Sequence, residues 1–343
     1  MMDLRIAFLV ESWGEPWNEG YKNLARYIYE ILKKHTSIEV LEKDRASISK
    51  LKDYDVIWIF NYPETVKTIH NLLSLMRINK KVKIIKEVAK RELDLGFKSK
   101  VKTIMLRRRL WNIMVVTTDL LRLELTRLTG KQPFLLPPPI PIDYFKPLDK
   151  DEARALLGFE EDKIYVGYSG TINKHRKLGI IFEALKNVKH EDIVLVMALT
   201  NVQRKDLVSM LKESRKFQIS LKFVKTNDVR TLFSALDLVV YPVEREGSVE
   251  PPLTVLEAMS CETPVAALRT PITEKIIQNG RDGFLFSTPQ ELRIIIEEML
   301  QAMINKDKIS VNARRKILEK FAPENIEKAY LEFLEILRNK EPC

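Results

Sequence analysis

The chain has 343 residues, of which 45% are hydrophobic and 30% charged, and its formal net charge is +10. This length and balance predict a globular protein of two domains and exclude a disordered or fibrous chain. No apolar run approaches the length of a membrane span, and Cys261 and Cys343 do not make a disulfide framework. We therefore expect a cytoplasmic protein, and MMDLRIAFLVESWG predicts a first strand rather than a signal peptide.

Strand-like and helix-like segments alternate through the first half of the chain. Short apolar runs predict the strands Leu4–Val10, Val56–Phe60, Lys83–Val88, Ile113–Thr117 and Phe134–Leu136. Helical spacing predicts the helices Asn18–Lys34, Thr65–Met76 and Asp119–Leu128, the last of them capped by Asp119. Continuous apolar strands separated by helices predict a parallel sheet that is covered on both faces.

A proline-rich segment then interrupts the alternation. PPPIPIDYFKP, residues 137–147, contains five prolines, which neither continue a helix nor donate to a sheet. We place the domain boundary there, which predicts an N-terminal domain over 1–140 and a C-terminal domain over 141–322. A last helix over 323–343, starting at Pro323, is expected to cross back to the N-terminal domain.

The alternation restarts after the prolines. The predicted strands are Lys163–Gly167, Ile193–Ala198, Leu221–Val224, Leu238–Tyr241, Val265–Ala267 and Phe284–Phe286. The predicted helices are Lys177–Leu185, Gln203–Arg215, Asp228–Leu236 and Leu253–Cys261, followed by three more at the end of the chain. The fold class is therefore α/β, with two Rossmann-like, doubly wound domains facing across a cleft. Ligands of such sheets bind at the carboxyl ends of the strands.

A basic block carries most of the net charge. Between Lys80 and Arg109 there are twelve lysines and arginines and three acidic residues, a net charge of +9. Such a block suits an anionic membrane surface, a nucleic acid or an anionic substrate. The alternative is a solvated face of charged side chains.

Common cofactor and metal motifs are absent from the sequence. It contains no GxGxxG after a strand, no GxxxxGK[ST], no HExxH and no CxxC. The single D-x-D, Asp53-Tyr54-Asp55, comes before a predicted strand and is interpreted as the start of that strand. We therefore expect no metal and no cofactor.

The stretch GYSGTINKHRKLG, residues 167–179, predicts a phosphate-binding loop between a strand and a helix. Gly170 allows close approach of a ligand to the backbone, and Thr171 offers a hydroxyl. Four basic donors follow near the predicted helix start: Lys174, His175, Arg176 and Lys177. Positive charge at a helix start is favourable when an anion is shared with it. The alternative is a solvated basic loop.

The stretch SVEPPLTVLEAMSC, residues 248–261, predicts a second binding element. Pro251 and Pro252 open a helix without losing amide donors, which leaves the N–H groups of Leu253 and Thr254 free to bind an anion. Glu250 precedes this helix start and Glu257 follows it by about one turn. Two carboxylates and two free amides suit a nucleoside diphosphate sugar. The alternative makes Glu250 a polar cap and Glu257 a surface helix residue.

Together these motifs resemble the C-terminal domain of the retaining GT-B glycosyltransferases of group 1, also called family 4. The matching residues follow in order: Pro242, Glu257-Ala258-Met259, Thr263-Pro264-Val265, Glu274 and Asp282-Gly283. The likeness is strongest from Asp149 to Phe286, and VVTTDLLRLELTRLTGKQPFLLPPPIPIDYFKP also resembles the family's last N-domain segment.

The resemblance implies roles for several residues. Glu257 would bind the ribose of the donor, and Glu250, by the transferred sugar, would be the catalytic carboxylate. The diphosphate would be held by the helix-tip amides of Leu253 and Thr254 and by a basic pair drawn from Arg176 and Lys177, beside Gly170 and Thr171. The implied mechanism is front-face displacement that keeps the anomeric configuration, without a metal.

Some positions depart from the family pattern. Six residues rather than seven separate Glu250 from Glu257, and Glu246 is a second candidate for the first glutamate. The usual Gly-Arg of the diphosphate loop is Gly170-Thr171, and the usual glycine after Glu-Ala-Met is Glu262. Glu262 would cost about 1 kcal/mol if its position needs a left-handed conformation. No histidine ends the fourth N-domain strand, where many members have one.

The sequence thus predicts a hexosyltransferase that moves a sugar from a nucleoside diphosphate to an acceptor hydroxyl, lipid-linked or on a polysaccharide. The alternatives are a nucleotide-sugar epimerase or phosphorylase of the same fold, or a non-catalytic nucleic-acid-binding protein that uses the basic block. We expect the nucleotide sugar and no nucleic acid as partner, and peripheral attachment to the inner face of the membrane.

We predict that residues 80–111 bind an anionic membrane surface. Val101, Ile104 and Met105 recur at helical spacing, and Trp111 suits an interface. Since each Lys or Arg near such a surface contributes about 1 kcal/mol, the protein should co-sediment with anionic vesicles at low salt and be released at high salt. Failure to bind at low salt would favour packing of these apolar residues on the N-domain sheet and a soluble acceptor.

Overall fold

The structure is a computed structural model that describes residues 4–15, 19–42, 47–60, 66–78, 81–90, 93, 112–172, 175–186, 188, 192–200, 202–245, 249–301, 303 and 305–339. Residues 94–111 of the basic block, Lys174 and Glu246 therefore lie outside the described residues. The chain divides into two compact units, Met1–Pro139 with Pro323–Cys343, and Ile140–Ala322. The division falls within the proline-rich segment.

The first unit contains a six-stranded, fully parallel sheet in the order β2-β1-β3-β4-β5-β6. Its strands are β1 Arg5–Val10, β2 Ser37–Glu42, β3 Val56–Ile59, β4 Lys83–Glu87, β5 Ile113–Val116 and β6 Phe134–Leu135. Its helices are α1 Gly20–Leu32, α2 Ile48–Leu51, α3 Val66–Ile78, α4 Asp119–Thr129 and α13 Pro323–Asn339. Every residue of β3 is buried, because helices cover both faces of the sheet.

The two faces of this sheet bury different residues. On one face, aliphatic residues of the strands such as Ile57 and Ile84 join Leu72 of α3 and Leu121 of α4 in one core cluster. On the other face an aromatic cluster forms, with the rings of Phe8 and Trp58 5.5 Å apart and those of Trp58 and Phe333 5.6 Å apart. Phe333 belongs to α13, so the last helix of the described chain packs on the first sheet.

Two features of this unit differ from the sequence prediction. β2 was not predicted, because SIEVLE is an edge strand whose exposed and partly buried residues alternate, unlike the continuous apolar runs of the other strands. The prediction that Asp119 caps α4 is wrong. Thr118 is the N-cap, its Oγ1 accepting the amide of Leu121 at 3.2 Å, and Asp119 is the first helical residue.

The second unit contains another parallel six-stranded sheet, in the order β12-β11-β10-β7-β8-β9. Its strands are β7 Ile164–Thr171, β8 Ile193–Thr200, β9 Ser220–Val224, β10 Leu238–Tyr241, β11 Val265–Leu268 and β12 Phe284–Phe286. Its helices are α5 Lys150–Leu157, α6 Gly179–Leu185, α7 Arg204–Phe217, α8 Val229–Ala235, α9 Leu253–Ser260, α10 Thr273–Ile276, α11 Pro289–Leu300 and α12 Lys306–Phe321. The prediction of two doubly wound α/β domains is confirmed, and α2, α5 and α10 are additions to it.

Buried Asp237 joins β7 and β10 at their amino ends. Its amide donates to Tyr165 O at 2.9 Å, and its Oδ2 accepts the amide of Tyr165 at 2.8 Å. The Arg154 guanidinium reaches the same carboxylate at 2.8 Å. A charge-assisted network of this kind pins the two central strands together.

The end of α9 contains the expected left-handed residue. Glu262 has φ +58°, its amide bonds Met259 O at 3.2 Å, and the amide of Thr263 bonds Ala258 O at 3.1 Å. This pair of bonds is the Schellman motif, which favours glycine at the left-handed position. The condition stated for Glu262, a left-handed conformation, is therefore met, and its energetic cost stays a prediction.

Among the helices of the described residues, none combines the length and the apolar character needed to cross a membrane.

Glu262→Gly should be about 1 kcal/mol more stable to unfolding than Glu262→Ala, because glycine removes the Cβ that disfavours the left-handed conformation. Both variants lose the contact between Glu262 Oε1 and Arg314 Nε, which is 3.6 Å long, so alanine is the matched control. Urea denaturation measures the difference. Equal stability of the two variants would show that the conformation carries no strain.

Candidate functional site

The strand order of the second sheet locates its ligand-binding edge. β7 comes first in this unit, β8 lies on one side of it and β10 on the other. In an open parallel sheet, ligands bind outside the carboxyl ends of two strands related in this way. The connections that leave this point are residues 172–178, before α6, and residues 242–252, before α9. Seven of the eight predicted site residues lie in these connections or at the ends of the elements they join, and Glu257 lies within α9.

At the carboxyl end of β7, the backbone passes close to the Tyr168 side chain. Gly170 has φ +145°, and a Cβ there would stand 3.0 Å from the hydroxyl of Tyr168. That hydroxyl donates to Thr171 O at 2.6 Å. Burial raises the pKa of Tyr168 above its ordinary value, so the phenol remains protonated and keeps its donor. The backbone of Gly170 and Thr171 is thereby fixed at the ligand edge.

Residues 175–177 pair with residues 242–244 as a short antiparallel ladder. Lys177 N donates to Pro242 O at 2.8 Å, and Glu244 N donates to His175 O at 2.9 Å. On one face of the ladder, Glu244 Oε1 lies 3.0 Å from Lys177 Nζ, and Glu244 Oε2 lies 3.1 Å from His175 Nδ1. The hydrogen bond from Lys177, and to a lesser degree that from His175, lowers the pKa of Glu244, which keeps this carboxylate charged.

Arg176 lies on the other face of this ladder, directly opposite Val243. Val243 is 1% exposed, so this face points into the unit. The charge of Arg176 acts on Tyr168, whose pKa it lowers against the larger effect of burial. Buried Arg176 Nε and Thr200 Oγ1 have no hydrogen-bond partner in the part of the chain that the structure describes. A polar ligand that satisfied these atoms would recover free energy lost on folding.

The tip of α9 carries two unused amides. Pro252 is its N-cap, and the amides of Val255 and Leu256 both donate to Pro252 O, at 3.0 and 3.3 Å. The amides of Leu253 and Thr254 have no acceptor within the described ranges. An eight-residue helix that starts in this way favours an anion at its tip.

Glu257 lies one turn further along α9 and is 4% exposed. Burial raises the pKa of the neighbouring Cys261 thiol, and the charge of Glu257 acts in the same direction. The alternative interpretation of Glu257 as a surface helix residue is therefore wrong. Its side chain is buried inside the unit.

Glu250 is buried in an ion pair with Arg245. Arg245 Nε donates to Glu250 Oε1, and Arg245 Nη2 donates to Glu250 Oε2 at 3.1 Å. The residues are 9% and 1% exposed, so both charges are largely removed from water. The N-cap of α9 is Pro252, whose side chain makes no capping hydrogen bond, and Glu250 lies two residues before it. In this structure both of its oxygens face a guanidinium.

The structure brings most predicted residues to the switch point but separates the basic ones. Arg176 faces inward, whereas Lys177 and His175 face Glu244. α6 begins only at Gly179, so the basic residues precede it rather than forming its first turn. Tyr168, Thr200, Glu244 and Arg245 were not predicted. The run VEREG, residues 243–247, contains the only sequence signal for two of them, alternating acidic and basic residues directly after a strand.

Metal ligands are not grouped in the described part of the chain. No cluster of three or more His, Cys, Asp or Glu residues occurs there. Asp55, in the D-x-D, accepts the amide of Arg5 at 2.9 Å with its Oδ2 and so ties the start of β3 to that of β1.

A surface cavity of 890 Å³ lies elsewhere in the second unit. It is lined by residues of α11, α12 and the turn before β12, and none of the predicted site residues contributes to its wall.

Residues 149–316 match the model of a family described as glycosyl transferases group 1. This segment, just under half of the chain, is thus a group 1 glycosyltransferase domain. The chain is 24% identical over 210 residues to a probable sucrose-phosphate synthase of Thermosipho melanesiensis, covering 59% of this chain and 47% of that one. It is 29% identical over 153 residues to a D-inositol 3-phosphate glycosyltransferase of Mycolicibacterium paratuberculosis, covering 43% and 34%. The chain thus matches half or less of the length of these curated relatives.

Solved structures extend the likeness over nearly all of the chain. HepE of Anabaena, in complex with UDP-glucose, aligns with a TM-score of 0.79 at 17% identity, over 97% of this chain and 99% of that one. A sucrose-phosphate synthase of Thermosynechococcus elongatus aligns with a TM-score of 0.77 at 15% identity, over 98% and 99%. At these identities the likeness concerns the fold, which is GT-B.

Arg245→Met should lower the free energy of unfolding by roughly 3–5 kcal/mol, because it leaves the Glu250 carboxylate buried without its cation. The double variant Arg245→Met with Glu250→Gln should recover most of that loss, since no buried charge then remains unpaired. Urea denaturation of the three proteins measures both effects. A loss below about 1 kcal/mol for the single variant would contradict a tightly held buried pair.

Proposed function

We propose that the protein is a retaining glycosyltransferase that moves a sugar from a nucleoside diphosphate to an acceptor hydroxyl. The observation that carries the proposal is the set of unsatisfied donors on both sides of the β7–β10 switch point. Arg176 Nε lies on one side, and the amides of Leu253 and Thr254 lie on the other. All three are donors suited to a diphosphate.

We assign roles to the site residues from their placement together with the family resemblance. Arg176 and the α9 tip neutralise the leaving diphosphate, beside the close backbone of Gly170 and Thr171. Of the two cations left open by the sequence, Arg176 is favoured, because Lys177 already pairs with Glu244. Glu257 accepts the ribose hydroxyls. Fixed donors aimed at developing negative charge supply the largest share of such catalysis.

The proposal requires no metal, since the positive charge for the leaving group comes from Arg176 and the helix tip. Glu250 stays the carboxylate that the resemblance places by the transferred sugar. Both of its oxygens pair with Arg245, so a sugar hydroxyl would either share this carboxylate with the guanidinium or displace it. Glu246, the second candidate, lies outside the described residues.

The acceptor is a hydroxyl compound, lipid-linked or on a polysaccharide, and attachment to an anionic membrane through residues 80–111 belongs to the same proposal. HepE, a similar fold, was solved with UDP-glucose, and one relative is named for D-inositol 3-phosphate. UDP-glucose is therefore the first donor to test, and a phosphorylated polyol joins the acceptor panel.

The experiment is incubation with a panel of nucleotide sugars, with and without acceptors, while nucleoside diphosphate release is measured. Release that rises with acceptor, and a product of unchanged anomeric configuration, support the proposal. An epimerase would interconvert the donor sugar without releasing product, and a phosphorylase would depend on free phosphate. Binding of nucleic acid without binding of any nucleotide sugar would contradict the proposal.

Two variants should separate the ribose from the diphosphate. Glu257→Gln should weaken binding of both UDP and uridine by about tenfold to a hundredfold, since it replaces a charged acceptor of ribose hydrogen bonds. Arg176→Met should weaken UDP binding and leave uridine binding unchanged, because uridine has no phosphate that Arg176 could contact. Calorimetry measures both, with GDP and guanosine if the panel selects guanine. Unchanged UDP affinity in folded Glu257→Gln would refute the ribose role.

A further inference from the structure

Among the described residues of the β7–α6 connection, Glu244 contacts the two outward-facing basic ones, and the proposed function gives it no task. Its two carboxylate oxygens contact the two residues that flank Arg176. Oε1 lies 3.0 Å from Lys177 Nζ, and Oε2 lies 3.1 Å from His175 Nδ1. The carboxylate therefore spans the short ladder that residues 175–177 form with residues 242–244.

That spanning contact fixes which way Arg176 faces. Alternate residues of an extended segment point to opposite sides, so His175 and Lys177 share one face and Arg176 takes the other. A shift of one residue in the pairing would exchange the faces and turn Arg176 outward. Within the described residues, the ladder has two backbone hydrogen bonds, Lys177 to Pro242 and Glu244 to His175, and two such bonds define its register weakly.

The side chains on the inner face agree with this register. Val243, directly opposite Arg176, is almost fully buried. Arg176 is close enough to Tyr168 for its charge to act on the pKa of that phenol. On the outer face Glu244 can meet both basic residues only when they lie on its own side. The ion pairs of Glu244 and the inward orientation of Arg176 therefore require the same pairing register.

We propose that Glu244 is a positioning residue, which acts through Lys177 and His175 to hold the ladder in the register that turns Arg176 toward the diphosphate. The inference rests on the proposed function, and it assigns Lys177 to Glu244 rather than to the donor. Exposed ion pairs contribute little to global stability, and the Glu244 side chain is 36% exposed. The effect is therefore local, on the population of the competent loop.

The test is a double-mutant cycle of Glu244→Ala and Lys177→Met, with binding of UDP and of uridine measured by calorimetry. Each single variant should weaken UDP binding by about threefold to tenfold and leave uridine binding unchanged. The double variant should lose no more than the larger single effect, because both changes break the same contact. Lys177→Arg, which keeps a cation for Glu244, should bind UDP like the wild type.

Asp192→Asn is the matched control. Asp192 Oδ1 pairs with Lys163 Nζ at 2.8 Å and is similarly exposed, but it lies at the amino ends of β7 and β8. Since β7 has eight residues, that end is about 23 Å from the ligand edge. The control should not change UDP affinity, and all variants should melt within a few degrees of the wild type.

Three results would overturn the inference. Tighter UDP binding by Glu244→Ala would mean that Glu244 competes with the phosphate for the cations. A larger, additive loss for Lys177→Met would mean that Lys177 contacts the diphosphate itself. Unchanged UDP affinity in both single variants would mean that the register needs no support. If the wild type binds none of UDP, GDP, ADP and CDP, the proposed function fails as well, which separates the two failures.

Discussion

The pairing of β7 with β10 is the contact on which the rest of the second unit depends. Only two residue pairs align, Leu238 with Val166 and Val239 with Gly167. A Cβ at Gly167 would come within 2.3 Å of the side chain of buried Leu236, just before β10, so glycine leaves room for that side chain. Asp237 pins their amino ends, and the ladder with Arg176 and Val243 continues the contact beyond their carboxyl ends. The two strands are therefore fixed to each other at both their amino and their carboxyl ends.

Two adjacent residues of opposite charge organise the loops around this point. Glu244 reaches the connection that follows β7, and Arg245 reaches Glu250 just before α9. Their surroundings differ, because the Glu244 pairs are partly exposed whereas the Arg245 pair is buried. A buried pair contributes most through what is lost when one partner is removed, and an exposed pair contributes mainly to local orientation. The same loop therefore combines a rigid attachment with an adjustable one.

The sequence allowed the architecture to be predicted because periodicity reports burial directly. Runs such as VIWI in β3 are apolar throughout, since both of their faces are covered. β2 escaped prediction because an edge strand needs no continuous apolar run. The left-handed position of Glu262 was predictable, since the helix end and its usual glycine are local features. Ion pairs were not, because the partner of Glu244 or Arg245 depends on how two loops meet. The four basic residues after β7 look equivalent in sequence, and only the ladder distinguishes Arg176 from its neighbours.

The packing of α13 on the first sheet has a consequence for biosynthesis. Ribosomes release the strands of the first unit early, but Phe333 and Tyr330, which contact Trp58 and Pro137, emerge only after the second unit. The aromatic face of the nascent first sheet thus stays without its covering helix until residues 323–339 have been made. The second unit is continuous from Ile140 to Ala322 and completes its core earlier. The second unit is therefore synthesised later than the strands of the first unit but finishes folding earlier. Chaperones would bind the incompletely covered first sheet during that interval.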